Sequence, residues 1–332
     1  MNRKIGVCLV GLGRIGRLHL NHLLEMWDRL VVLAVCDSRA QAVDEVRASL
    51  GLKGYSDCQA MLDREKPEAL VIATSAQSHS ALIEEAASRQ IHIFCEKPLA
   101  LSLPEARQAA RAVSQSFFQI GFQRRFDRAY RDAYEKLRAG VIGEPITFKA
   151  TARDAWEPDL EFARVEVSGG LLLDMAIHDF DLARWLMGSE VTGVSTEGSS
   201  LLYSELPTVG DVDSAVVNLT FQSGAIGNVE AGRTGTFGYD IRTEVVGTRG
   251  ALFVGQVENS SLVIAGSQGF HRSSIAKYQE RFQDAYKTEL REFVDCILQN
   301  KKPGCGLEEA MKSLEIALAA RESLQNKKPV AL

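Results

Sequence analysis

Three side chains of this 332-residue sequence could move a proton at a substrate hydroxyl: Lys97, Asp174 and His178. Asp174, His178 and Asp181 recur at i, i+4 and i+7, so on a helix they form one polar stripe, while Leu172, Leu173, Met175, Ala176, Ile177, Leu182, Ala183 and Leu186 would bury its other faces. An acid one turn from an imidazole can hold it in one tautomer while the other ring nitrogen takes a proton. The same stripe also fits the solvated face of a half-buried helix, and His178 by itself fits a satisfied core histidine. Lys97 precedes Pro98, which disfavours helical backbone for it and holds it extended or turned. From there an ammonium could polarise a hydroxyl or pass it a proton, although an isolated lysine is more commonly a solvated surface charge.

A second chemistry is written in Gly11-Leu12-Gly13-Arg14-Ile15-Gly16, which directly follows the apolar run Ile5–Val10 and precedes a helical pattern. In that context the first glycine permits a tight turn, the second lets backbone approach a pyrophosphate, and the third lets helix pack on strand. The helix N-terminus then faces the anion. Another apolar run, Val31–Cys36, ends at Asp37, about 20 residues past the last glycine, where a βαβ unit delivers its ribose-binding acid. An Asp there accepts from both ribose hydroxyls and repels a 2′-phosphate, which favours NAD. Arg39 leaves room for NADP, since a nearby arginine can accommodate that phosphate.

The elements that must position these groups fall into two grammars. Up to about residue 122, strands at Ile5–Val10, Val31–Cys36, Leu70–Thr74, His92–Glu96 and Phe117–Phe122 alternate with helical patterns near Arg14–Met26, Ala40–Leu50, Asp57–Arg64, His79–Arg89 and Leu103–Ser114. Alternation of this kind predicts a parallel sheet covered on both faces. A helix near Asp127–Ala139 leads out of it. Beyond Gly143-Glu144-Pro145, strand-like runs follow one another: Ile146–Ala152, Val191–Gly198, Ala215–Phe221, Ala225–Ala231, Ile241–Val246 and Leu262–Ala265. One helix, Leu171–Met187, interrupts them, and two more, Glu280–Gln299 and Leu307–Gln325, close the chain. The expected fold is α/β: an N-terminal Rossmann doubly wound parallel sheet over residues 1–122, then an α+β domain over 123–332 with a large, mainly antiparallel open sheet. Whether the C-terminal helices pack back on the first domain stays open.

In such a sheet, ligands bind beyond the carboxyl ends of the strands. Three polar groups lie there: Ser75-Ala76-Gln77-Ser78-His79, Glu96-Lys97-Pro98 and Gln123-Arg124-Arg125-Phe126.

Composition narrows the function classes. A formal net charge of −5 without long runs of one sign gives no electrostatic case for nucleic acid or an anionic membrane. Six scattered cysteines without a CxxC pair read as reduced, buried thiols, and no segment approaches a bilayer-spanning apolar length. The first apolar run is short and broken by Gly11, which fits a strand better than a signal peptide. A cytoplasmic protein acting on a small molecule is expected. No metal site is expected, because the six histidines form no clustered ligand set beyond Asp174 and His178. The Gly-x-Ser-x-Gly of a serine hydrolase is missing as well.

Together, the glycine run, Glu96-Lys97-Pro98, and Gly169-Gly170 followed by Asp174 and His178-Asp179-x-Asp181 resemble the Gfo/Idh/MocA oxidoreductase family. Gly121–Asp127, Val167–Gly170, Asp174–Asp181, Gly210–Asp213 and Gly238-Tyr239-Asp240 are similar to the inositol 2-dehydrogenase branch, and the likeness runs over nearly the whole chain. The resemblance implies that Lys97, Asp174 and His178 form the catalytic group, that the Lys97–Pro98 bond is cis, and that Asp37 reads NAD. It implies cofactor contacts from Gly11, Gly13, Arg14, Ile15, Gly16, Asp37, Arg39, Thr74, Ala76, His79, Glu96 and Lys97. Substrate contacts are implied from Lys97, Arg125, Asp154, Asp174, His178 and Tyr239, and the assembly implied is a homotetramer built through the large sheet. The chain departs from close inositol dehydrogenases at Ala155–Phe162 and at Ala231-Gly232, which leaves open other inositol isomers and pyranoses.

The expected reaction is oxidation of a secondary hydroxyl of a cyclitol to a ketone. A rival within the class is an NAD(P)-dependent pyranose dehydrogenase or ketoreductase. A rival outside it is a non-catalytic NAD-sensing regulator, which would have no need for Lys97, Asp174 and His178 together.

Overall fold

The computed structural model describes residues 3–155, 159–258, 263–267 and 269–332. The chain divides into two compact units, Met1–Gln123 with Tyr286–Met311, and Arg124–Ala285 with Lys312–Leu332. The crossing back into the first unit falls within the helix Tyr278–Gln299, and the return to the second within Leu307–Asn326.

The first unit is a six-stranded parallel sheet. Its strands are β1 (Ile5–Val10), β2 (Leu30–Cys36), β3 (Lys53–Tyr55), β4 (Ala69–Ile72), β5 (His92–Glu96) and β6 (Phe118–Gly121), in the order β3-β2-β1-β4-β5-β6. Near-continuous apolar strands such as β4, buried at every residue, are what a sheet covered on both faces requires. Helices Arg14–Glu25, Ala40–Leu50, Cys58–Glu65, His79–Ser88 and Leu103–Ala112 connect the strands. Leu290, Phe293, Val294 and Ile297 of the late helix join the same core as Leu9, Leu20, Val71 and Phe94. Strand order reverses between β1 and β4, so the crevice beyond their carboxyl ends is the place for a ligand. β3 is absent from the strands expected above. Lys-Gly-Tyr has no apolar run, and pairing with Ala34–Cys36 of β2 makes it an edge strand.

The second unit carries a seven-stranded sheet in the order β12-β11-β7-β10-β9-β8-β15, formed by β7 (Pro145–Arg153), β8 (Val191–Ser199), β9 (Ser214–Phe221), β10 (Ile226–Gly232), β11 (Asp240–Gly247), β12 (Gly250–Val254) and β15 (Val330–Ala331). Every pairing is antiparallel except that of β10 with β7. β12 and the two-residue β15 were not among the expected strands; each is fixed by its neighbour, β12 through a tight hairpin from β11 and β15 by adding to the edge at Gly193–Val194. The strand expected from Leu262 is β13 (Ile264–Gly266), which pairs with β14 (Gly269–His271) in a separate ribbon. Leu262 and the loop residues 156–158 lie outside the described residues. Among the described residues, no helix is long and apolar enough to cross a membrane.

Candidate active site

The glycine loop is built largely by steric necessity. Gly11 has φ +97°, and a Cβ there would stand 2.3 Å from the main-chain oxygen of Ala73 at the end of β4. A Cβ on Gly16 would stand 1.9 Å from Gly11 O, so the loop can close on its helix only with hydrogen at that position. Gly13 differs: among the described residues, nothing beyond its neighbours in the chain lies within 4 Å of where its Cβ would be. Internal packing therefore does not require that glycine, and its backbone stays open to close approach from outside. Gly13 is also the N-cap of Arg14–Glu25, with no side-chain cap and no acid in the first turn to meet the positive end of the dipole. Arg14 is exposed and Ile15 half-buried beside it.

Asp37 lies at the end of β2, 8% exposed. Its carboxylate accepts from Leu12 N at 2.7 Å, tying the acid to the glycine loop, and from Arg39 N at 2.9 Å. The Arg39 guanidinium, mostly solvent-exposed, donates to both oxygens at 3.1 and 3.2 Å. Burial pushes the Asp37 carboxyl upward, but the bonds from Arg39 and Leu12 outweigh it and hold the group below its ordinary value. It is an anion at neutral pH.

At the neighbouring strand mouths, Thr74 is half-buried and Ala76 buried. His79 is fully enclosed; its Nδ1 is 2.7 Å from Pro98 O and its Nε2 3.2 Å from Thr74 O. Burial lowers its pKa despite these two carbonyls, and the neutral ring, with one N–H, can donate to only one of them. The Lys97–Pro98 peptide bond is cis and Lys97 is half-buried. The Glu96 carboxylate points inward to His19 Nε2, at 2.6 Å, and receives Lys97 N at 3.3 Å.

In the second unit, Leu171–Met187 is one helix in which Leu172–Ala176 widens to a π turn before Ile177–Met187 continues as α. Such π turns concentrate at functional sites. Asp174 stands in this turn and His178 one turn on, and the helix packs on β7 and β10. The parallel pairing of β7 and β10 aligns Arg153 with Gly232, and Arg153 in turn faces Asp240 of β11, so Asp154, Arg233 and Tyr239 emerge at the same end of the sheet. Main-chain bonds lock that end: Asp154 N to Gly232 O, Gly235 N to Asp154 O, and Arg233 N to Asp213 O. Arg233, 2% exposed, directs its guanidinium between Asp174 at 3.5 Å and Asp211 at 3.4 Å. Asp211 also accepts from Leu171 N at 2.8 Å at the head of the helix. Sequence reasoning did not single out Arg233; its only local signal is its place just after a glycine that ends a strand.

Burial pushes the Tyr239 phenol up, with Arg124 pulling the other way and the Asp154 charge reinforcing the rise, so the phenol stays protonated and able to donate. Of the two adjacent arginines it is therefore Arg124 that lies beside Tyr239. Arg125 is held by Asp181 through two bonds of 2.7 and 2.8 Å and lies over Trp185. Asp181 accordingly leaves the stripe with Asp174 and His178, and Asp179 pairs with Arg124 at 2.5 Å. Arg125→Ala leaves the buried Asp181 without its partner and is expected to cost about 3–5 kcal/mol in urea unfolding. A loss below about 1 kcal/mol would show the pair to be hydrated like a surface bridge.

A doubly wound parallel sheet with a glycine loop open at its helix N-terminus and an anionic Asp37 at the adjoining strand is the architecture of a dinucleotide-binding domain. Residues 5–119 match the model of the oxidoreductase family's NAD-binding Rossmann fold, and residues 134–332 match that of its C-terminal alpha/beta domain. The chain belongs to the Gfo/Idh/MocA oxidoreductase family. It is 38% identical to the scyllo-inositol 2-dehydrogenase (NAD(+)) of Bacillus subtilis, over 100% of this chain and 97% of that one. It is 37% identical to the myo-inositol 2-dehydrogenase of Thermotoga maritima, over 99% and 98%. The crystal structure of scyllo-inositol dehydrogenase from Lactobacillus casei with bound NAD(H) and scyllo-inositol superposes with a TM-score of 0.93 at 29% identity, covering 99% of both chains.

Proposed function

We propose that this protein oxidises a secondary hydroxyl of a cyclitol, an inositol or a close relative, to the ketone, with NAD as acceptor. The observation that carries the reading is similarity from end to end, at 38% and 37% identity, to two dehydrogenases named for inositols. When bound, the nicotinamide supplies the hydride acceptor. The residues of this chain handle the proton and the orientation. His178 takes the hydroxyl proton, and Asp174 orients the imidazole and stabilises the imidazolium that forms. Lys97 steadies the developing alkoxide or relays the proton. Asp154 accepts from ring hydroxyls and Tyr239 donates to them, a division that suits a polyol. Gly13, Asp37 and the mouth residues Thr74 and Ala76 hold the cofactor.

A homotetramer formed through the large sheet is proposed as well. Cross-strand pairing puts Val216, Ile226 and Phe253 on one open face, and they are 41, 59 and 74% exposed. A cytoplasmic location is supported by cysteines that are all free.

The test is turnover on a panel of inositols and pyranoses with NAD and NADP, on a preparation whose mass is read by sedimentation. An inositol with NAD is expected to give the highest kcat/KM, at four chain masses. A preferred pyranose would move the assignment to a sugar dehydrogenase, silence across the panel would remove the enzymatic reading, and a monomer would remove the assembly.

A further inference from the structure

One group of buried ionisable side chains lies outside the acid–base assignment. His19 on the helix Arg14–Glu25, Glu96 at the end of β5 and Glu289 on the helix Tyr278–Gln299 each bring a nitrogen or oxygen to within 4.8 Å of the others. All belong to the first unit, and His19 and Glu289 have no exposed surface. The His19 ring stands edge-on to Phe94 and Tyr286, so the pocket is walled by aromatics. Glu96 uses Oε1 toward His19 and Oε2 toward Lys97 N. The facing strand makes room for that carboxylate with Gly121, where a Cβ would stand 3.1 Å from the carboxyl carbon and both oxygens. Among the described residues, neither oxygen of Glu289 meets a hydrogen-bond donor, although Gln119 Nε2 bonds its main-chain oxygen at 2.8 Å.

Two carboxylates and one imidazole in a dry pocket cannot all be charged: His19 can balance one acid, and the second would stay buried and uncompensated. We infer that Glu289 is a positioning residue for Lys97, a carboxylic acid whose O–H donates to the Glu96 carboxylate across from His19 and so fixes the turn that carries Lys97. The inference rests on the acid–base role proposed for Lys97. Burial first, and the Glu96 charge second, raise the Glu289 pKa well above its ordinary value, in keeping with a neutral acid. The titratable groups facing it are Glu96 from β5 and His19 from the first helix, with Tyr286 one turn back on its own helix against the imidazole; Gln119 from β6 is neutral. As filler, an apolar side chain would suit this core better. A protonated acid instead offers a third donor to the Glu96 carboxylate, whose oxygens keep lone pairs that His19 and Lys97 N do not use. A shared metal ion fits the spacing poorly, because His19 Nε2 and Glu96 Oε1 are 2.6 Å apart, whereas two ligands roughly 2.0–2.2 Å from a tetrahedral ion are more than about 3 Å apart.

The experiment compares Glu289→Gln, which keeps a donor, with Glu289→Leu, which removes it, in the full chain. On the inositol it turns over best, Glu289→Gln is expected to keep kcat within about threefold. Glu289→Leu is expected to lose at least about tenfold in kcat with little change in KM, and to shift the pH profile of kcat. A second reading needs no activity. A pKa raised on folding means that the acid's stabilisation is complete below its unfolded value of about 4.3 and is lost as pH rises toward the folded value. Glu289→Gln cannot ionise, so its stability advantage over wild type must grow from about pH 5 to pH 9. A difference that stays flat with pH, full activity of Glu289→Leu, or a stoichiometric metal lost in Glu289→Gln would each overturn the inference. An inactive Lys97→Met beside a fully active Glu289→Leu would sink the inference alone; an active Lys97→Met would sink the reading of Lys97 and the inference with it.

Discussion

Replacing His178 with alanine is expected to lower kcat on the preferred inositol by roughly 10²–10⁴-fold, the usual share of a positioned acid–base group, while leaving KM for NAD nearly unchanged. The asymmetry follows from the role proposed for the residue: a base that meets the proton only as the hydroxyl gives it up is lost from the transition state alone. The residual rate should climb with pH, because hydroxide then stands in for the missing base. His178 is only 8% exposed, so an unfolding curve must accompany the kinetics and separate lost chemistry from lost packing. A folded variant that turns over like wild type would remove His178 from the mechanism. Asp174 would then have to act through something other than the imidazole.

Replacing Asp37 with serine should shift cofactor preference toward NADP by roughly 100-fold in the ratio of kcat/KM values. Each charge-assisted hydrogen bond is worth about 1.5–3 kcal/mol, and about 1.4 kcal/mol is a factor of ten. Two changes add. In the proposed role of Asp37, serine removes the anion that would accept ribose hydroxyls and repel a 2′-phosphate, and it releases Arg39, whose guanidinium now holds both oxygens of Asp37. A released arginine at this place can take the phosphate. Adding Arg39→Ala to the serine variant should therefore erase the gain for NADP and leave the loss for NAD. Unchanged selectivity in Asp37→Ser would show that the ribose is read elsewhere.

Much of the fold can be read along the chain because the signals are local. An apolar run followed by three glycines at close spacing states a strand, a turn that no side chain would allow, and a helix that starts without a cap. The helix Leu171–Met187 is legible for the same reason, since its apolar faces repeat within a few residues. Short edge strands such as Lys53–Tyr55 and Val330–Ala331 are not, because their pairing partners rather than their own residues make them strands. The π turn at Leu172–Ala176 is equally silent, as an i, i+4 pattern is compatible with either winding.

What the amino-acid order determined alone is the pair of sheets, the glycine loop with its acid, and the nomination of Lys97, Asp174 and His178. Only the folded chain decided which charges meet: Arg125 with Asp181, Arg124 with Asp179 and Tyr239, Arg233 between Asp174 and Asp211, and Glu289 against Glu96 and His19. The physical reason is distance along the chain. Periodicity reports which face of an element is buried, but the partner of a buried charge stands dozens of residues away, on another helix or strand. That choice is made by strand register and helix packing, because each buried charge must find an opposite one or give up its own.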